Sequence, residues 1–67
     1  MALGENIKKH REAANLSQSQ LATLLSKDSA STISMWEKGL RKPSVDSLVV
    51  MSEIFNCTID ELFYSEK

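Results

Sequence analysis

Sixty-seven residues suffice for one domain, because a chain this short buries only ~60% of the surface its unfolded form exposes and cannot share that between two cores. An apolar fraction of 42% with 25% charged residues is a globular balance, and the longest apolar run, Leu48 to Met51, falls far short of the ~18 residues of a membrane span. A soluble, cytoplasmic protein is therefore expected. Cys57 is the sole cysteine and His10 the sole histidine, which excludes an internal disulfide and leaves no ligand set for zinc; no cofactor is implied.

Along the chain, Ile7, Arg11 and Ala14 recur at helical spacing with Leu3 a turn earlier, which predicts an amphipathic first helix from about Gly4 to Ala14, stopped at Asn15. Ser17-Gln18-Ser19-Gln20 is a capping box, with Ser17 accepting from the Gln20 amide while the Gln20 side chain reaches back. It opens a second helix carrying Leu21, Ala22, Leu24 and Leu25. Asp28 and Ser29 both suit the N-cap of a third helix running to about Lys38, with Asp28 favoured, and Gly39 supplies the left-handed position after it. Pro43 and Ser44 precede a fourth helix, where Leu48, Met51, Ser52 and Phe55 mark one face and Asn56 takes the left-handed role at the end. Thr58-Ile59-Asp60-Glu61 is a second capping box, opening a short fifth helix through Leu62 and Phe63. No strand pattern and no repeat interrupts this order, so residues 1–67 read as one all-α domain of five helices.

The charge is segregated. Up to Lys42, seven Lys or Arg face Glu5, Glu12, Asp28 and Glu37, giving +3, whereas from Pro43 onward Lys67 faces five acids, giving -4. One end can thus face phosphates while the other turns away. On the third helix, Ile33, Trp36 and Glu37 share one side and leave Ala30, Ser31, Ser34, Met35 and Lys38 on the other. That outer face is small, polar and basic at its end. A solvated face has the same composition; a helix entering the ~12 Å major groove also needs this lack of bulk. Arg11 and Glu37 each fall on the apolar stripe of their own helix, where a lone buried charge costs several kcal/mol, so the two are expected to meet.

Arg11, Leu16 to Ala22, Thr32 to Gly39, Arg41 to Ser44 and Thr58 to Leu62 together resemble, in order and spacing, the Xre/Cro family of phage-repressor-type helix-turn-helix proteins, over about Ile7 to Phe63. The resemblance implies a compact repressor-type domain with its helix-turn-helix at about 17–38 and carboxy-terminal helices at about 45–64 that serve the core and dimerisation. It implies double-stranded DNA as the partner and transcriptional regulation as the function, in the form of a dimeric repressor at an inverted-repeat operator. Position by position, Gln18, with Ser19 beside it, matches a residue that braces against phosphate at a helix N-terminus. Ala30, Ser31, Thr32, Ser34 and Met35 match the base-reading positions, and Lys38, Arg41 and Lys42 match the loop that grips the backbone. Lys8 and Lys9 offer further phosphate contacts. Trp36 matches a core aromatic, and Arg11 and Glu37 a structural salt bridge. One residue more than the usual pattern stands between Leu25 and Thr32, which brings Ser29, and Asp28 before it, near the reading positions and shifts the register of the first reader by one.

Val50 and Ile54 on the fourth helix are apolar yet placed roughly opposite its core face, and with Ile59 and Phe63 they form a patch suited to a second copy of the chain. His10 carries no catalytic role, and Cys57 reads as a small buried hydrophobe with no neighbouring cation to activate it. No Ser-His-Asp arrangement, glycine-rich phosphate loop or paired carboxylates stands out, so no enzyme is expected. A restriction-modification controller and an antitoxin-type autoregulator are compatible with a stand-alone domain of this size. From another class, a protein-interaction module with little DNA affinity fits the net negative charge and a reading helix without Arg, Asn or Gln at its front.

Overall fold

The computed structural model describes residues 3–27 and 29–64. Five helices follow in order: α1 (Leu3–Ala13), α2 (Gln18–Leu24), α3 (Ala30–Glu37), α4 (Val45–Ile54) and α5 (Ile59–Phe63). No strand occurs among the described residues.

Local chemistry sets both ends of most of these helices. Ser17 and Thr58 close reciprocal capping boxes with Gln20 and Glu61, and Ser44 caps α4 by accepting from the Ser47 amide. At the start of α3 the cap is Ser29, whose hydroxyl accepts from the Ser31 amide at 3.3 Å; the favoured Asp28 lies outside the described residues. The first four helices end alike. Asn15, Ser26, Gly39 and Asn56 take φ of 60°, 60°, 79° and 54°, and the next amide in each case bonds back to a carbonyl of the last turn: Leu16 to Arg11, Lys27 to Ala22, Leu40 to Met35 and Cys57 to Ser52. That is the bond of a Schellman ending, which satisfies carbonyls the helix leaves over. Ser26 gives no sequence signal for this role, because its side chain lacks the left-handed preference of Gly or Asn.

Each helix sends one fully buried side chain to a common centre: Ile7, Leu21, Ile33, Met51 and Leu62. Leu3, Ala22, Trp36 and Leu48 complete the cluster. Two further contacts set α1 against its neighbours. Gly4 is packed so closely on the end of α3 that a Cβ there would lie 2.5 Å from the Trp36 carbonyl oxygen and 2.6 Å from that of Glu37. Asn6, also buried, donates its side-chain amide to the Leu62 carbonyl of α5 at 2.8 Å. Neither role follows from helical periodicity alone.

The outward face of α4 differs from the sequence expectation. Ser47, Leu48 and Met51 are buried, and Ile54 packs against the core together with Phe55 and Phe63. The exposed apolar residues of α4 are Val45 (73%) and Val49 (40%), while Val50, Ile54, Ile59 and Phe63 are half-buried. The physical reason is that α5 packs on α4 and extends the core around to the Ile54 flank, so the true solvent side is turned from where α4 alone would put it.

Candidate nucleic-acid interface

The outer side of α3 follows from how its inner side is anchored. Ile33 and Trp36 are buried, at 0% and 5%, which turns Ser31, Ser34 and Met35 outward. Ser29 and Ser31 are exposed, while Ala30, Thr32, Ser34 and Met35 are half-buried. Lys38, the C-cap, is exposed. The face is thus built of short side chains and one flexible thioether, with a cation at its end.

A buried ion pair holds this helix to α1. Arg11 Nε donates to Glu37 Oε2 at 2.6 Å and Nη2 donates to Oε1 at 3.3 Å, with both side chains at most one-tenth exposed. The fork is completed by Nη1, which donates to the Leu16 carbonyl at 2.8 Å. The Glu37 carboxylate, hydrogen-bonding to the guanidinium, raises the Arg11 pKa further above its ordinary value despite the opposing effect of burial; Glu37 and Glu12 charges add to the rise. Gln18, the first residue of α2, donates Nε2 to Glu37 Oε1 at 2.9 Å. One carboxylate therefore gathers α1, α2 and α3, and the two helices of the helix-turn-helix are locked at a shared vertex. Its charge is matched by Arg11, so it does not confront an approaching polyanion unpaired.

Two clefts flank α3. On the α1 and α2 side, a cleft of about 280 Å³ is lined by Lys8, Arg11, Gln18, Ser34, Glu37 and Lys38. On the other side, a cleft of about 260 Å³ runs between the α2–α3 turn and the loop after α3, and Thr32, Met35, Arg41, Lys42 and Ser44 border it together with Lys27. The expected phosphate ligands thus divide between two walls: Gln18 and Lys38 on one, Arg41 and Lys42 on the other. Ser19 is exposed on α2, and Lys9 is exposed on α1. Sequence reasoning did not single out Lys27. Its only signal was position, in the segment between α2 and α3.

His10 stacks on Phe55, with ring centroids 5.6 Å apart and planes 19° from parallel, so it packs α1 against the end of α4. Cys57 is half-buried, and burial, with Glu61 nearby, pushes its thiol pKa up. That is the direction opposite to an activated thiolate. No cluster of potential metal ligands occurs among the described residues, and no helix there is long and apolar enough to cross a membrane.

Five helices with this vertex and these clefts define a repressor-type DNA-binding fold. The comparisons agree: a family model described as helix-turn-helix matches residues 7–62, and the chain belongs to that family, of Xre/Cro type. Over all of its 67 residues the chain is 40% identical to the HTH-type transcriptional activator BcrR of Enterococcus faecalis, of which it spans 32% of the length. Among solved structures it is similar to the P22 c2 repressor bound to a synthetic operator, with a TM-score of 0.82, 28% identity, and coverage of 90% of this chain and 89% of that one. It is similar also to the DNA-binding domain of the P22 c2 repressor in solution, with a TM-score of 0.84 at 26% identity, covering 96% of this chain and 83% of that one.

Proposed function

We propose that this chain regulates transcription by binding double-stranded DNA sequence-specifically, with α3 in the major groove. The observation that carries this reading is the build of α3: a compact outer face lying between two cationic clefts and clamped from behind by Arg11 and Glu37. A groove-bound helix meets a phosphate wall on each side, and each cleft offers cations to one wall. Ser31 and Ser34 supply adaptable hydrogen bonds to base edges, and Met35 with Ala30 supplies apolar contact to thymine methyl groups. Gln18 spends one amide hydrogen on Glu37 and keeps the other for phosphate. The similarity to a P22 c2 repressor in complex with a synthetic operator supports DNA binding by this fold.

Two copies of the chain, meeting through the α4 and α5 side where Val50, Ile54, Ile59 and Phe63 are half-covered and Val45 and Val49 are bare, would set two reading helices about one DNA turn apart, ~34 Å. The operator is then an inverted repeat. Whether such a dimer represses or activates depends on where that operator stands relative to the promoter; the named relatives include one activator and one repressor.

Fluorescence anisotropy on duplexes selected from a random pool tests the reading. A selected duplex is expected to bind far more tightly than a scrambled one, with affinity falling steeply as salt rises by about 0.9 in log-log slope per neutralised phosphate. Met35→Ala is expected to relax preference at particular base pairs while sparing binding to the scrambled duplex. Equal affinity for selected and scrambled duplexes would leave a protein-interaction module as the better reading.

A further inference from the structure

The cleft on the loop side of α3 holds a cation that the family pattern does not assign. Lys27 lines it with Arg41 and Lys42, beside the hydroxyl-bearing Thr32 and Ser44. No carboxylate is among its described lining residues, whereas the cleft on the opposite flank contains Glu37. Three cations gathered around one hollow, whose lining also includes the apolar Met35 and Trp36, repel each other, and an anion relieves that repulsion. A phosphodiester fits the donor set, offering one negative charge and several acceptor oxygens to ammonium, guanidinium and hydroxyl donors.

The backbone leading into Lys27 is also tied down. Ser26 turns the backbone left-handed at φ 60°, and the Lys27 amide bonds to the Ala22 carbonyl at 2.8 Å. Among the described lysines, Lys27 alone is half-buried; Lys8, Lys9, Lys38 and Lys42 are exposed. A lysine whose stem is already partly packed loses less rotamer freedom when its ammonium engages a ligand.

We propose that Lys27 is a DNA phosphate ligand which, with Arg41 and Lys42, closes a three-cation clamp on a single backbone phosphate along the loop-side wall of the groove. The proposal rests on the DNA-binding reading above and adds to it the residue from the turn and the shared phosphate.

The test uses the whole chain as wild type, Lys27→Gln, Lys27→Arg, Lys42→Gln and the double variant Lys27→Gln/Lys42→Gln, with thermal melts to establish that each folds. Each is titrated by anisotropy against a selected duplex and a scrambled one across a series of salt concentrations. Lys27→Gln is expected to weaken both duplexes by the same factor, about tenfold at low salt, and to lower the salt slope by up to ~0.9, while Lys27→Arg keeps most of the affinity. The double variant is expected to lose less than the product of the two single losses, because both cations serve one phosphate. A Lys27→Gln protein with wild-type affinity and slope, a loss confined to the selected duplex, or fully multiplicative losses would each overturn the clamp while leaving DNA binding intact. A wild-type chain without salt-dependent affinity for duplex DNA would overturn both.

Discussion

The two ends of α3 are held by different means. At the carboxy-terminal end the helix is gripped from several directions: Glu37 carries Arg11 and Gln18, Gly4 lets α1 rest directly on the Trp36 and Glu37 carbonyls, and Gly39 turns the chain away. At the amino-terminal end there is the Ser29 cap, bonded over 3.3 Å, and a turn of five residues. The contrast means that the helix angle is set by tertiary contacts at one end while the register of the first outward side chain is set by local turn chemistry at the other. Turn length can then vary at that end without changing the angle at which α3 is held.

Removing one partner of the vertex tests the stronger end. Glu37→Ala leaves the buried Arg11 with only Glu12 as a carboxylate partner among the described residues, 3.9 Å away and more than half exposed, and is expected to cost about 3 kcal/mol in urea unfolding. The paired replacement Arg11→Met with Glu37→Leu is expected to recover much of that stability without restoring selective DNA binding, since the angle of α3 loses its pin. A double variant that binds selected DNA as wild type does would break the contrast between the ends.

Gly4→Ala gives a smaller effect at the same end. Alanine is the better helix former by ~1 kcal/mol, so propensity alone predicts a gain. Its methyl group, however, meets two backbone oxygens that no side-chain rotation can move, and α1 must shift. A net loss of about 2 kcal/mol is expected, with a lowered melting temperature as the readout. A rise in melting temperature would show that α1 does not rest on α3 as described.

At the weaker end Ser29→Ala is expected to cost about 1 kcal/mol, the ordinary worth of an N-cap. The loss of affinity is expected to concentrate at the base pairs read by the front of α3. If this change destabilises as strongly as Glu37→Ala, both ends carry the helix equally and the comparison fails.

Much of this organisation was legible along the chain, wherever a feature is decided by neighbours in sequence. The two capping boxes and the buried stripe of α3 follow from spacings of three or four residues, the left-handed ends at Gly39 and Asn56 follow from residue type, and Asn15 read as a stop and proves left-handed as well. The Arg11–Glu37 pair was accessible too, because two opposite charges on apolar stripes have few stable alternatives. Asp28 and Ser29 are equally good cap formers by residue type, so the sequence could not separate them; the cap is Ser29, and Ser26 adopts a conformation for which serine gives no cue.

What only the tertiary structure decided are the properties that belong to pairs of helices. Val50 and Ile54 look outward on α4 taken alone, but Ile54 packs on the core, Val50 is half-buried, and the exposed apolar side lies at Val45 and Val49. Gly4 is ordinary in sequence and becomes a contact point only because α3 ends against it. Lys27 joins Arg41 and Lys42 because the α2–α3 turn and the loop after α3 come to the same side of one helix. Helical periodicity fixes which side chains share a face; which face meets water, and which distant charges meet one another, depends on how the faces are stacked, and that is settled by burying the largest apolar area at once.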